Sequence, residues 1–189
     1  MVSNLIQSRL NKIKDKISNQ KFLEGKGMGN EMNFHIFDYE PEYELRVRAE
    51  IEKIKKNYNS ITNGWKVIEI DLYKILIDML KREDLFESAI EMEDEEGKDE
   101  VLDAVSTFIT PEVYFEEIKS IVNEKNIVFI TGIGKVYPFV RSHNILNNTH
   151  ELDNPVIMFY PGRYSGQDLV LFNKIKDENY YRAFPLIIE

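Results

Sequence analysis

Two uninterrupted apolar runs constrain this chain more than anything else in it. Residues 126–132 (NIVFITG) and 154–160 (NPVIMFY) are apolar at successive positions rather than at alternate ones. A strand of that kind has both faces buried, the condition of inner strands in a parallel sheet covered by helices on both sides. Strand-type and helix-type segments alternate along the rest of the chain. The sequence therefore predicts an α/β fold, a three-layer α/β/α sandwich around a mostly parallel sheet of about five strands.

Ile6, Leu10, Ile13 and Ile17 form the stripe of an amphipathic helix over 3–18, with Lys12, Lys14 and Lys16 around it. The glycine-rich segment 25–30 (GKGMGN) reads as a hinge. It separates an N-terminal helix and hinge, 1–30, from an α/β domain, 31–189. Residues 33–39 (NFHIFDY) read as a strand ended by Pro41, and Val47, Ile51, Ile54 and Tyr58 as a helix over about 42–58. After turn chemistry at 59–64, residues 65–70 (WKVIEI) are a second strand. Asp71 can cap a helix whose stripe is Leu72, Ile75, Leu76, Met79 and Leu80. Helical spacing returns at Val101, Leu102, Val105 and Ile109. Thr110-Pro111 then supplies a cap and a first-turn proline for a helix through Tyr114, Ile118, Ile121 and Val122. A further helix is expected from about Pro138 to Asn147. After the second apolar run, 161–166 (PGRYSG) read as a turn, 167–176 as a short helix and 183–188 (AFPLII) as a last strand.

The 189 residues carry 24 Lys+Arg against 33 Asp+Glu, a formal net charge of −9. That acidity is local. Residues 83–103 hold 11 acidic and 1 basic side chain, or −10, so everything else sums to +1. Acidity opposes broad DNA binding, which rests on neutralising phosphates, but here the objection applies to one block. The block reads as a solvated excursion between helices, with docking of a basic partner as the second reading. EMEDEEGKDE lacks the alternating oxygen ligands and closing Glu of a calcium loop. The absence of Cys excludes disulfides, thiolate metal sites and Cys nucleophiles, and suits a reducing cytoplasm. No apolar run approaches the ~20 residues that span a bilayer, and no secretory signal is visible. A cytoplasmic protein without membrane contact is expected.

Ligands of parallel sheets bind beyond the carboxyl ends of the strands, which directs attention to 38–41, 69–71, 132–135 and 160–166. Gly132, Gly134 and Lys135 follow a buried strand and precede a helix, the place for a loop whose backbone N–H groups hold an anion. The spacing is not that of a P-loop, since Val136 follows Lys135. Nor is it a dinucleotide fingerprint, since Tyr137 stands where a third glycine is needed. Two glycines turning tightly beside the sheet explain the segment equally well. Asp38 and Asp71 end the first two strands, and together would suit Mg²⁺ or acid–base work in a metal-dependent nuclease or hydrolase; each also suits a cap. His35 sits inside a strand. His143 and His150, near Glu151 and Asp153, are too far apart along a helix axis to share an ion. Ser165 lacks the GxSxG setting of a nucleophile elbow. None of these features calls for a cofactor or metal.

The C-terminal third is the most unusual stretch. Tyr160, Arg163, Tyr164, Tyr180, Tyr181 and Arg182 fall in expected loops or element ends. Tyr and Arg anchor protein interfaces. They also stack on and neutralise single-stranded nucleic acid, so Arg141, Arg163 and Arg182 keep a nucleic-acid reading open beside a protein-binding one.

Three segments taken together resemble the BrxB family of BREX bacteriophage-defence systems. They are residues 35–51 (HIFDYEPEYELRVRAEI), 129–151 (FITGIGKVYPFVRSHNILNNTHE) and 155–184 (PVIMFYPGRYSGQDLVLFNKIKDENYYRAF). The likeness covers most of 33–189. Its most specific pieces are the glycine turn followed by Pro138, Arg141, Ser142 and Leu146-Asn147-Asn148, then FYPGxYxG and NYYRAF. Arg141, Asn147, Tyr160, Gly162, Tyr164, Gly166, Tyr180, Tyr181 and Arg182 match the motif positions. The resemblance implies a bacterial cytoplasmic component of a multi-protein system whose other members include a large ATPase, a DNA adenine methyltransferase and an alkaline-phosphatase-like protein. It establishes no enzymatic activity for this component. The expectation is a non-catalytic assembly or adaptor subunit. Its partner surface would comprise Arg141, Asn147, Tyr160, Arg163, Tyr164, Tyr180, Tyr181 and Arg182, and any nucleic-acid contact would be indirect or weak.

Overall fold

The computed structural model describes residues 2–24, 33–61, 64–148, 151–177 and 183–188. In chain order, α1 (Val2–Ile17) and α2 (Gln20–Leu23) precede β1 (Phe34–Tyr39), and a 3-10 turn at Pro41–Tyr43 leads into α3 (Glu44–Ile61). Then come β2 (Lys66–Asp71) and four helices: α4 (Leu72–Arg82), α5 (Phe86–Glu95), α6 (Lys98–Phe108) and α7 (Pro111–Ile121). β3 (Asn126–Thr131), α8 (Ile133–Val136) and α9 (Ser142–Asn148) lead to β4 (Val156–Tyr164). The chain closes with β5 (Leu169–Leu171), β6 (Ile175–Asp177) and β7 (Phe184–Pro185).

Sheet order follows from the apolar patterning. The strands run β2-β3-β4-β1-β7, all parallel, and the two continuously apolar runs are the adjacent strands β3 and β4. Every residue of β3 is buried, whereas β2 at the edge buries only Val67 and Ile70. Alternate side chains feed two cores, as a period of two requires. Val128, Ile130, Val156, Met158 and Tyr160 face the layer built by α4–α9. Ile127, Phe129, Ile157 and Phe159 face α1 and α3. On that side the rings of Phe37, Phe159 and Phe129 form a row across three strands, at centroid separations of 5.6 and 5.1 Å. The stripe Ile6, Leu10, Ile13 and Ile17 packs into the same core, so α1 is one of its walls. Crossovers between parallel strands are right-handed. The chain crosses from β1 to β2 over one face through α3 and steps back through β3 to β4 over the other, which is why both faces are covered.

The five expected strands are all present, and caps form where the sequence places them. Asp71 accepts the N–H groups of Tyr73 and Lys74, and Thr110 accepts that of Val113 ahead of Pro111. Four segments differ from expectation. Residues 161–166 are not simply a turn, because β4 continues through Tyr164. Residues 167–176 do not form a helix; β5 and β6 make an antiparallel hairpin on the extension of β4. Glycine at 162 permits this, since a Cβ there would lie 2.1 Å from the Val170 carbonyl oxygen. The helix expected over 138–147 is confined to α9, preceded by a cis Tyr137-Pro138 peptide. Most of the acidic block is helical, forming α5 and the start of α6 around Gly97, rather than a solvated loop. The glycine-rich segment 25–30, expected to be a hinge, lies outside the described residues.

Candidate functional site

The carboxyl end of the sheet holds a cleft of about 190 Å³ between the ends of β1, β3 and β4. Tyr39, Pro41, Glu44 and Arg48 approach from the β1 side, and Gly132 to Lys135 from the β3 side; Pro161 and Phe172 also line it. This is where parallel sheets bind ligands, but the volume is below the ~300 Å³ at which ligand pockets usually begin. Its polar groups are already partnered. Glu44 accepts hydrogen bonds from the Tyr39 hydroxyl at 2.5 Å and from Arg48 Nε at 2.6 Å. Burial, then the Glu44 carboxylate, push the Tyr39 hydroxyl far above the usual tyrosine range.

The glycine loop has an anion of its own. Gly132 adopts φ 79°, and a Cβ there would lie 2.3 Å from Asp71 Oδ1. Lys135 Nζ ion-pairs with Asp71 Oδ2 and lies 5.7 Å from the centroid of the Tyr73 ring. Gly134 packs against the Phe172 ring. Gly132, Gly134 and Lys135 therefore lock β3 to the start of α4 through the Asp71 carboxylate, which stands where an incoming anion would meet like charge.

The two strand-end aspartates do not meet. β3 and β4 lie between β2 and β1, so three strand spacings, about 14 Å, separate their backbones. Asp71 serves as cap and Lys135 partner. Asp38 Oδ1 accepts Arg9 Nη2 at 2.7 Å, and its Oδ2 accepts the Tyr164 backbone N–H at 3.1 Å. Glu69, also at the end of β2, takes Lys55 at 2.6 Å and the Thr131 hydroxyl at 2.9 Å. Ser165 Oγ accepts the N–H groups of Gln167 and Asp168, closing a turn. Among the described residues, no group of three or more His, Asp or Glu side chains is arranged to hold a metal ion. His143 is half-buried on α9, and His150 lies outside the described residues.

The expected partner-surface residues separate into three groups. Tyr160 is 1% exposed inside the core, and Tyr164 is half-buried with its hydroxyl donating to the Ala183 carbonyl at 2.6 Å. Both fix the fold, because β4 and its extension are covered where a loop was expected. Arg141, Asn147 and Arg163 are exposed. Arg163 lies 3.5 Å from Glu40 beyond β1, while Arg141 rims a cleft of about 280 Å³ formed with α6, α7 and α9, so these two arginines stand apart on different elements. Tyr180, Tyr181 and Arg182 lie outside the described residues. Sequence reading missed three residues that organise this end of the sheet. Arg9 reaches from α1 to clamp Asp38. Glu40 accepts Asn173 Nδ2 at 2.5 Å, tying the hairpin to β1. Phe172 walls the cleft from a left-handed position, φ 54°. None has a local sequence signal, since each acts across more than 25 residues.

The comparisons with known proteins agree with one another. The model of the family "BREX protein BrxB" matches residues 68–186. A protein named BREX protein BrxB from Bacillus cereus (strain H3081.97) is 42% identical over 188 residues, covering 96% of this chain and 97% of that protein. Another of the same name, from Escherichia coli O9:H4 (strain HS), is 31% identical over 191 residues, covering 99% and 94%. No solved structure matches the chain. No helix among the described residues is long and apolar enough to cross a membrane. With the family model spanning more than half of the sequence and two relatives aligned over nearly all of it, this chain belongs to the BrxB family of BREX proteins.

Proposed function

We propose that the protein is a non-catalytic assembly or adaptor subunit of a BREX-type phage-defence system, working by binding other components of that system. One observation carries this reading: the groups best placed for chemistry at the carboxyl end of the sheet are engaged in holding the fold. Asp38 is bonded to Arg9 and Tyr164, and Asp71 to Lys135 and the start of α4. A carboxylate accepting charge-assisted bonds on both oxygens is a structural fastening. What this end of the molecule offers to solvent is side chains suited to recognition. Arg163 is 70% exposed and only loosely held by Glu40, and Arg141 stands beside the α6–α7 cleft.

Affinity capture tests the reading. The tagged full-length chain, co-expressed with the other BREX components, should retain at least one of them in mild salt. Arg141→Ala combined with Arg163→Ala should weaken that retention by roughly 2 kcal/mol, the effect of truncating an interfacial arginine anchor, with the unfolding temperature unchanged. Recovery of the protein alone would overturn the reading.

A further inference from the structure

The acidic block builds a second surface next to the cleft that Arg141 rims, the two sharing Leu102, Pro138 and Phe139. α5 and α6 lie against α4 and leave a groove of about 620 Å³. Its lining is apolar apart from Glu93, Lys98 and Asp99. The floor is made by buried residues such as Leu76, Leu80, Val101 and Val105, while Ile90 and Tyr73, 49% and 39% exposed, stand at its walls. α5 buries no residue of its own.

The charge around this groove works against the protein's own stability. Glu93, Asp94 and Glu95 occupy the last turn of α5 with no basic residue among them, and Glu96 follows as the cap. Negative charge at a helix C-terminus faces the negative end of the helix dipole. Glu87, Glu91 and Glu95 add like-charge neighbours four residues apart on the same helix. None of the carboxylates from Glu87 to Asp103 has an ion-pair partner among the described residues.

We infer that the α4–α5–α6 groove is a docking site for a basic amphipathic helix belonging to another component of the defence system. An amphipathic helix seats its apolar face in such a groove through anchors at i, i+3, i+4 and i+7. Three turns of α5, ~15 Å long, match about ten residues of partner. Lys and Arg on the flanks of that helix would meet the carboxylates. A second copy of this chain does not supply it from α1, the protein's own basic amphipathic helix, because Ile6, Leu10, Ile13 and Ile17 of α1 are already buried in its core.

The inference rests on the adaptor reading and adds a site and a partner chemistry to it. The test compares full-length wild type with two variants, each co-expressed with the other BREX components and captured in mild salt. Ile90→Ser removes an exposed anchor, and Glu93→Lys with Asp94→Lys and Glu95→Lys reverses the charge of the last turn of α5, where Glu93 lines the groove. Both should lower the captured component roughly tenfold, and wild-type capture should itself weaken with added salt. The charge-reversed variant should unfold at an equal or higher temperature, which a misfolding artefact would not produce. Cross-linking to α5 and α6 should recover a Lys/Arg-rich segment with apolar residues at helical spacing. Equal capture by wild type and variants, or cross-links only to an acidic segment or to a second copy, overturns the groove and leaves the adaptor reading standing. No component captured by wild type at all overturns both.

Discussion

His35 shows how one half-buried residue couples this fold to pH. It lies inside β1 beside Phe22 and Phe184, with ring centroids 5.0 and 6.1 Å away, and its Nδ1 has no hydrogen-bond partner among the described residues. Burial first, then the charge of Lys16, lower its pKa from 6.5 to about 4, against a smaller opposing effect of the Asn33 backbone. The folded value lies below the unfolded one, so stability is full above pH 6.5 and is lost as pH falls towards 4, where only the unfolded chain binds the proton. Between pH 7 and pH 5 the loss should be about 2 kcal/mol. Chemical denaturation at the two pH values measures it, and His35→Leu should remove most of the difference. The position of His35 in a strand is readable from NFHIFDY, but the orphaned Nδ1 and the depressed pKa are not. They depend on Phe22 and Phe184, which come from opposite ends of the chain.

At the scale of elements, what the sequence reveals depends on whether a local pattern meets a local cause. Buried strands and capped helices meet that condition: the apolar runs become β3 and β4, and Thr110-Pro111 starts α7. The β5–β6 hairpin does not. Its turn places Phe172 and Asn173 at φ 54° and 58° with the Lys174 N–H bonded to the Leu171 carbonyl, a conformation that Asn-Gly normally announces. The contacts of Phe172 in the cleft and of Asn173 with Glu40 replace that signal. The acidic block was obscured for another reason. Glutamate is a good helix former, yet the weak apolar stripe of Phe86, Ala89 and Ile90 is outweighed in the reading by charge. Helices held by few buried contacts open readily. Amide exchange in α5 should therefore be much faster than in α7, which buries Tyr114, Phe115 and Ile118 and is tied to α4 by the two-pronged Arg82–Glu117 pair at 2.9 Å. Hydrogen-exchange mass spectrometry of the free protein checks this directly, and a bound partner in the groove should slow α5 selectively.

At the scale of the whole molecule, strand order decides how the chemistry reads. β1 and β2 are consecutive strands in the sequence, which made Asp38 and Asp71 look like a pair. The sheet inserts β3 and β4 between them and assigns each carboxylate to a different fastening. Alternation and burial patterns cannot carry that information, because order is set by which crossovers pack, and here the first crossover skips two strands. The −10 of residues 83–103 has a similar history: a number in the sequence, it becomes in three dimensions the edge of an apolar groove that adjoins the cleft rimmed by Arg141. The most direct measurement is the assembly state of the remaining BREX components, by native mass spectrometry or size-exclusion chromatography, with and without this protein co-expressed. An adaptor predicts a complex that falls apart into its members when the protein is omitted. An unchanged complex, formed as readily without it, would contradict that role.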